Sequence, residues 1–380
     1  MSVLYRCWAE VDLDALRSNL AWLRHRVGPG VKILTVVKAD AYGHGLKQIA
    51  AVLMQSGTDI FGVANLTEAR HVRSVGAGWP ILMLGACLPH EVEAAVKDGI
   101  MPAVSSVAEA RAFSDAAVRW GRVVSGHLKI DTGMGRLGMD PSVAVRAACQ
   151  MAKLKGFQVA GLMTHFAAAE DDPEFTDHQQ RKFIEILDRL QKAGIRPPLV
   201  HVCNSGGLLW KSSARFNLVR PGLLVYGVIP PTRRPGHTLL HRRLKPALTW
   251  KCRVGLVKTV AKGTPISYGH TYYTPRRMRV AVITAGYGDG YMRSGSQRAS
   301  VLIRGHRCPV LGRITMDQMI VDAGPAAGVR PGEEVVLVGK QGRETISIGE
   351  LASWCGTIPW EALTNITYRV PRIYLGGHAA

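Results

Sequence analysis

The chain has 380 residues, of which 47% are hydrophobic and 20% charged, a balance that favours a water-soluble globular protein with room for two domains. Its seven cysteines are scattered without paired or Cys/His ligand spacing, which argues against a zinc site or a disulfide framework. The formal net charge of +20 is high, but the basic residues are dispersed and carry no nucleic-acid-binding signature, so we expect a solvated basic surface and no nucleic-acid partner.

The sequence shows no pattern typical of a membrane span or a signal peptide. No apolar run is long enough to span a bilayer. Residues 1–10 lack the apolar core and small-residue cleavage site of a signal peptide. Together with the unpaired cysteines, this predicts a cytoplasmic protein with no membrane partner.

The first two thirds of the chain alternate between strand-like and helix-like segments. Leu16, Leu20 and Leu23 recur at helical spacing and predict a helix that stops at residues 28–30. Eight apolar runs follow, which we interpret as strands: 33–37, 60–64, 81–84, 101–104, 127–130, 159–163, 199–202 and 219–226. Helical periodicity fills stretches between them: 67–75, 91–97, 107–120, 141–155 and 177–193. Eight such alternations predict a (β/α)8 barrel of the TIM type, with its chemistry at the C-terminal ends of the strands.

The pattern of predicted secondary structure changes after the turn-rich segment 230–236. Short β-type runs separated by Gly and Pro follow at 249–259, 279–284, 301–303 and 334–338, with short helices expected near 348–355. We therefore predict a barrel domain over residues 1–240 and a smaller, mostly β domain over 241–380, and we leave open that residues 1–10 pack on the second domain. The basic excess concentrates here: residues 231–316 hold seventeen Lys and Arg against one acid, Asp289.

The segment 36–45, VVKADAYGHG, is the first candidate for chemistry. Lys38 ends an apolar run, so it is expected to point into a crevice where desolvation lowers its pKa and frees an amine for attack on a carbonyl. Tyr42 can reach the same crevice, and Gly43 and Gly45 allow a tight turn. For a lone lysine, a solvent-exposed strand end would be the simpler interpretation.

Further polar strings follow later strands. Residues 127–138, HLKIDTGMGRLG, contain Lys129 and Arg136 and also match GxGxxG, but no acidic residue follows at the distance that a dinucleotide site requires. His165 and Ser205 come after the sixth and seventh predicted strands, and RPGL at 220–223 lies in the eighth. In the second domain, the strings 266–272, 286–290 and 312–318 are rich in Gly, Tyr and polar residues.

In order and spacing, these strings resemble the motifs of alanine racemases, which bind pyridoxal 5′-phosphate and act as isomerases. The resemblance implies that Lys38 bonds covalently to the cofactor and that His165 lies against its ring. It also implies that Arg136 holds the substrate carboxylate and the phenolic oxygen of the cofactor, oriented by Lys129, which is often carbamylated in the family.

The same resemblance assigns the remaining contacts to the cofactor and substrate. The phosphate contacts are Ser205, Gly222 and Leu223, and Tyr42 and Trp360 are further cofactor contacts. The residue that faces the pyridine nitrogen is Arg220, with His201 beside it. Met316 would line the substrate site. Tyr268, supplied by the partner subunit, would work as a base opposite Lys38, so the resemblance implies a homodimer with shared active sites that makes D-alanine for peptidoglycan.

Trp360 departs from the family pattern, because a tyrosine that helps to bind the phosphate is usual in its string, 357–361. Tryptophan can donate one N–H but cannot accept. A serine or broad-specificity racemase on the same scaffold is therefore a rival hypothesis to an alanine racemase. A non-catalytic pyridoxal-phosphate carrier is a second rival, although it would lack the string around Tyr268. A nucleic-acid module built on the basic second domain is the third.

Overall fold

The computed structural model describes residues 5–232 and 243–376. Two compact units are present. The first, which we call the barrel unit, comprises Leu16–Ala41 and Leu46–Lys245. The second, which we call the β unit, comprises Met1–Ala15, Tyr42–Gly45 and Pro246–Ala380. Residues 233–242, which include part of the turn-rich segment and several basic residues of the second domain's cationic excess, lie outside the described residues.

The barrel unit is built on eight parallel strands in the order β8-β7-β6-β5-β4-β3-β2-β9. Their bounds are β2 Lys32–Val36, β3 Ile60–Val63, β4 Ile81–Met83, β5 Met101–Val104, β6 Val124–Lys129, β7 Phe157–Met163, β8 Leu199–His201 and β9 Leu218–Val219. A backbone hydrogen bond from Arg220 N–H to the carbonyl of Cys203, 2.9 Å long, joins the segments that follow β9 and β8. The sheet is thus a nearly closed barrel, which confirms the predicted fold class.

Helices connect these strands. They are α1 Leu13–Val27, α2 Lys38–Gly43, α3 Leu46–Met54, α4 Leu66–Val75, α5 Val92–Lys97, α6 Val107–Arg119, α7 Ala144–Met151, α8 Pro173–Lys192 and α9 Ser205–Trp210. Polar side chains begin four of them by accepting a backbone N–H of the first turn: Asn65, Ser106, Asp172 and Asn204. α8 is amphipathic and buries Phe183, Ile186 and Leu190 on one face, as its apolar spacing predicts.

The prediction of a strand over residues 219–226 is wrong for most of its length. β9 ends at Val219, and the chain then turns, with N–H groups of Val225 and Tyr226 donating to the carbonyls of Gly222 and Leu223. Leu223, Leu224 and Val225 are all fully buried. A buried turn gives the same apolar run as a buried strand, so the composition alone could not separate them.

The β unit contains a nine-stranded sheet in the order β16-β15-β12-β13-β14-β11-β10-β1-β17. Its strands are β1 Cys7–Asp12, β10 Leu248–Val260, β11 Met278–Ile283, β12 Ser300–Ile303, β13 His306–Leu311, β14 Met319–Asp322, β15 Glu334–Gln341, β16 Glu344–Ile346 and β17 Arg372–Leu375. Two helices, α10 Ile348–Cys355 and α11 Pro359–Thr364, lie between β16 and β17. The mostly β character expected of this part of the chain is confirmed. None of the described helices has the length and apolarity that crossing a membrane would require.

Candidate active site

Lys38 follows the barrel strand β2 and begins α2, which is a short left-handed turn. The φ angles of Ala39, Asp40, Ala41 and Tyr42 all lie between 53° and 54°. Side-chain-bearing residues avoid this conformation because Cβ approaches the following carbonyl, at a cost of about 1–2 kcal/mol each. A run of four such residues directly after a lysine marks a backbone that is held in place by its surroundings.

The surroundings of Lys38 favour its neutral amine. Burial lowers the pKa of Lys38, and the guanidinium of Arg136 lowers it further, while the carboxylate of Glu68 opposes both effects. An amine with a lowered pKa at a strand end is suited to attack on a carbonyl carbon. The structure thus gives Lys38 the environment that its position in the sequence predicts.

Lys129 is the last residue of β6 and is only 4% exposed. Its burial and the positive charges of Arg220, Arg136 and Lys38 lower the pKa of Lys129 to about 8. At neutral pH about a tenth of these amines is therefore uncharged, in contrast to an ordinary lysine.

The loop after β6 is organised by Asp131. One carboxylate oxygen accepts the N–H groups of Gly133, Met134 and Gly135 at 3.0, 2.8 and 3.1 Å. Partial burial opposes ionisation, but these three donors outweigh it and hold the pKa of Asp131 below its ordinary value. Two glycines of the GxGxxG match, Gly133 and Gly135, thus donate to a carboxylate. Arg136, on the same loop, is exposed.

Arg220 is buried and makes four hydrogen bonds at the end of the barrel. One terminal nitrogen donates to the carbonyls of Thr164 and Val202 at 2.7 and 3.0 Å and to Nδ1 of His165 at 3.3 Å. The other lies 2.7 Å from Nδ1 of His201. Burial lowers the pKa of Arg220 to about 10, so the guanidinium stays charged at neutral pH. It is a rigid donor at the centre of the site.

His127 joins this network, a role that sequence reasoning missed. Arginine can only donate, so Nδ1 of His201 accepts the hydrogen bond from Arg220. The proton of His201 therefore lies on Nε2, which is 2.7 Å from Nδ1 of His127. His127 Nδ1 then accepts too, and its own proton lies on Nε2, which has no partner among the described residues. Burial and the charge of Arg220 lower the pKa of His127 to about 3, and that of His201 also lies well below its ordinary value. Both rings are therefore neutral. In the sequence, the only sign of this pair is that both histidines lie in predicted barrel strands.

A small polar cradle forms where α9 begins. The hydroxyl of Ser205 accepts the N–H of Gly222 at 3.0 Å, although the two residues are 17 positions apart. Asn204 accepts the N–H of Gly207 at 2.9 Å and fixes the start of α9. Leu223 follows Gly222 in the buried turn after β9. The structure thus brings together the candidate phosphate contacts Ser205 and Gly222, with Leu223 next to them in the chain.

The remaining candidates lie in the β unit. Tyr268, in a short 3₁₀ turn, is 70% exposed, and Met316 is 53% exposed. Ser267 donates to the carbonyl of Arg313 at 2.6 Å, and the N–H of Gly288 donates to the carbonyl of Met316 at 2.8 Å. The three strings predicted in the second domain therefore meet on one segment, with Tyr268 and Met316 open to solvent.

Tyr42 is buried, and burial raises the pKa of its phenol. The next residue, Gly43, has a φ of 77° and lies so close to α11 that a Cβ would stand 2.5 Å from the carbonyl oxygen of Leu363. Trp360, the departure from the family pattern, is the second residue of α11 and is half-buried. Tyr42, Gly43 and the helix of Trp360 thus have a fixed spacing within the β unit.

The donor set of the barrel unit fits an anionic group with a carbonyl. Lys38, Lys129, Arg136 and Arg220 act on one another electrostatically, and their charges outnumber those of Asp131 and Glu68. A cationic cluster is stabilised by a bound anion, and the amine of Lys38 is suited to an aldehyde. A phosphorylated aldehyde, the chemical class of the expected cofactor, satisfies both requirements.

Comparison with known proteins gives a consistent result over nearly the whole chain. Two family models match, alanine racemase N-terminal domain over residues 11–230 and alanine racemase C-terminal domain over residues 247–374. The alanine racemase of Symbiobacterium thermophilum is 43% identical over 374 residues, covering 98% of both chains, and that of Halothermothrix orenii is 40% identical over 369 residues, covering 97% and 96%.

Solved structures agree with these relatives. The alanine racemase of D-cycloserine-producing Streptomyces lavendulae superposes with a TM-score of 0.92 at 36% identity, covering 99% of both chains. The alanine racemase of Bartonella henselae with covalently bound pyridoxal phosphate superposes with a TM-score of 0.87 at 28% identity, covering 98% of this chain and all of that one (100%).

Proposed function

The chain belongs to the alanine racemase family, and on that premise we propose that it interconverts L-alanine and D-alanine with pyridoxal 5′-phosphate as its cofactor. The observation that carries the proposal is the cationic cluster at the end of the barrel, in which Lys38 has a lowered pKa and Arg220 is fixed by four hydrogen bonds. The action on alanine is taken from the alanine racemases that this chain resembles over nearly its whole length.

Residues of the barrel end would hold the cofactor. When bound, pyridoxal phosphate supplies a conjugated system that stabilises negative charge at the substrate Cα. Lys38 would bind its aldehyde carbon, and Ser205, Gly222 and Leu223 its phosphate. On the resemblance alone, Tyr42 and Trp360 are proposed as further cofactor contacts. Arg220 would donate a hydrogen bond to the ring nitrogen but keep its own proton, since its pKa of about 10 lies far above neutrality. Keeping the ring nitrogen unprotonated limits side reactions at Cα.

The substrate carboxylate would bind Arg136, whose planar guanidinium can bond both oxygens. Lys129, carbamylated, would be the fixed anion that orients this guanidinium. Its uncharged fraction at neutral pH supports this assignment, because only the neutral amine reacts with carbon dioxide. By the same resemblance, Met316 is proposed as a further substrate contact.

Racemisation requires proton transfer on both faces of Cα, so two groups are needed. Lys38 would serve one face and Tyr268 of the partner subunit the other. The exposure of Tyr268 supports this role, because its phenol is accessible to a second chain. We therefore propose a homodimer with shared active sites, located in the cytoplasm, that supplies D-alanine for peptidoglycan.

The test is incubation of the protein with L-alanine in deuterium oxide, followed by chiral separation and mass spectrometry. We expect D-alanine that carries deuterium at Cα. Exchange without inversion would mean that Lys38 works and the Tyr268 face does not. No exchange by a protein that holds the cofactor would refute the racemase proposal.

A serine or broad-specificity racemase is the second candidate, and Trp360 favours it. Parallel reactions with L-alanine, L-serine and L-lysine, using the wild type and Trp360→Tyr, separate the two. Faster turnover of serine than of alanine by the wild type would establish the second candidate.

A further inference from the structure

Glu68 is the residue that links the barrel scaffold to the turn carrying Lys38. One carboxylate oxygen accepts the N–H of Ala39 at 2.8 Å, and the other accepts the N–H of Ala64 at 2.7 Å. Ala64 follows β3, so Glu68 bridges the ends of two neighbouring strands, β2 and β3. Ala39 is the first of the four left-handed residues.

The hydrogen bonds that begin α4 occur again at the start of α6, where no candidate lysine is nearby in the chain. Asn65 begins α4 by accepting the N–H of Glu68 at 2.9 Å, just as Ser106 begins α6 by accepting that of Glu109 at 3.1 Å. Glu109 reaches back to the N–H of Ser105 at 3.0 Å, as Glu68 does to that of Ala64. The two helix starts differ in what the second carboxylate oxygen of the glutamate accepts. The second oxygen of Glu109 accepts the Ser106 hydroxyl at 3.2 Å, whereas the second oxygen of Glu68 accepts the N–H of Ala39.

This difference is informative because a helix cap does not need the contact with Ala39. A strained backbone persists only where its surroundings determine it, and a charged acceptor makes the strongest hydrogen bond available to an N–H group. We propose that Glu68 is a positioning residue that fixes the backbone between Lys38 and Ala39, and with it the direction of the Lys38 amine. The inference deepens the proposed function, since it rests on Lys38 being the residue that attacks the cofactor and moves the proton.

The charge of Glu68 also matters for Lys38. The groups that act on this amine or respond to it are Glu68 from α4, Lys129 from β6, Arg136 from the following loop, and His165 after β7. Of these, Glu68 is the anion, and it partly offsets the lowering of the Lys38 pKa by burial and Arg136. Removing its charge should therefore lower the pKa of Lys38 further and enlarge the neutral fraction.

The experiment compares Glu68→Gln with Glu109→Gln. Both variants lose a charged acceptor at a helix start, so both should lower the melting temperature to a similar extent. Glutamine can accept one of the two N–H groups that Glu68 accepts, but its NH₂ would face the other. We expect the holoenzyme of Glu68→Gln to lose about tenfold in kcat with little change in KM, because of misplacement of the amine. Glu109→Gln should stay within about twofold of the wild type in kcat.

A second readout does not depend on racemisation. The full chain is first freed of bound aldehyde with hydroxylamine and then labelled with a trace of acetic anhydride. Because only the neutral amine reacts, the extent of labelling at Lys38, measured by peptide mass spectrometry, reports its neutral fraction. We expect labelling about threefold faster at neutral pH in Glu68→Gln, unchanged labelling in Glu109→Gln, and near wild-type labelling in Glu68→Asp, which keeps the charge. Glu68→Asp should also recover part of kcat.

The outcomes separate the two proposals. If Glu68→Gln matches Glu109→Gln in both labelling and kcat, Glu68 is only a helix cap and the inference is wrong. If the wild type does not racemise alanine, the proposed function fails, while the labelling comparison still decides whether Glu68 acts on Lys38.

Discussion

Individual residues at the barrel end carry positive charge in an environment that disfavours it. Lys38 and Lys129 both have lowered pKa values because they are buried near Arg136 and, for Lys129, near Arg220. Arg220 keeps its proton because its ordinary pKa is so high. The site therefore contains two lysines that can react as neutral amines beside the guanidinium groups of Arg136 and Arg220.

Lys129 offers a direct test of this view. Since the pKa of Lys129 is about 8, its amine is mostly neutral above pH 8, whereas an ordinary lysine is less than about 1% neutral there. We expect ¹³C-bicarbonate to give a carbamate signal in the ¹³C NMR spectrum that grows as the pH rises from 6.5 to 8.5, roughly the range around this pKa.

Lys155, a lysine exposed to solvent, supplies the matched control. The carbamate signal should vanish in Lys129→Ala and persist in Lys155→Ala. A signal that survives in Lys129→Ala would assign the carbamate to another amine.

At the scale of elements, the left-handed turn after Lys38 depends on Gly43. An alanine there would have both the left-handed φ and a Cβ 2.5 Å from the carbonyl oxygen of Leu363. We expect Gly43→Ala to lower the free energy of unfolding by about 2–4 kcal/mol, measured by urea denaturation, and to weaken cofactor binding.

Gly28 separates the cost of the left-handed φ from the cost of the contact with Leu363. It has a φ of 85°, but a Cβ there would meet no atom within 4 Å. Gly28→Ala should therefore cost only the strain of the left-handed conformation, about 1–2 kcal/mol. Equal losses in the two variants would mean that the contact with Leu363 does not matter.

Much of the barrel could be predicted because each of its strands is a short apolar run between turn signals, and burial of both faces makes such runs conspicuous. The segment 219–226 shows the limit of that signal, since a buried turn is equally apolar. The four left-handed residues after Lys38 have no local signal either, because alanine and tyrosine do not favour that conformation. Tertiary contacts impose it.

The candidate site divides in a similar way. Lys38 was predicted because a lysine that ends an apolar run is desolvated, whereas Lys129 and Arg220 were assigned from the resemblance to alanine racemases. Glu68 and His127 were not, because each has an ordinary explanation: Glu68 is a helix-start residue, and His127 belongs to a strand interior. Their partners are far apart in sequence, and only the fold brings those partners within hydrogen-bonding distance.

For the whole molecule, the proposed sharing of active sites between two chains can be tested by mixing inactive variants. Lys38→Arg and Tyr268→Phe should each be inactive alone. After subunit exchange, a heterodimer has one site with both residues intact, so about a quarter of the wild-type activity should return. If both residues served the same chain, the mixture would remain inactive.

The double variant Lys38→Arg/Tyr268→Phe gives the opposite expectation. Mixed in equal amounts with the wild type, it forms heterodimers without an intact site, so the activity of the wild type should fall by about half after exchange. Unchanged activity would contradict shared sites.

The pairing of β1 has a consequence for protein synthesis. β1 hydrogen-bonds to β10, with Cys7 opposite Cys252, and to β17, with Ala9 opposite Arg372. At a translation rate of about 5–20 residues per second, β1 leaves the ribosome roughly 10–50 s before its first partner strand exists. The barrel strands are all made during that interval. On the ribosome, β1 therefore waits without its native partner strands until the whole barrel sequence has been made.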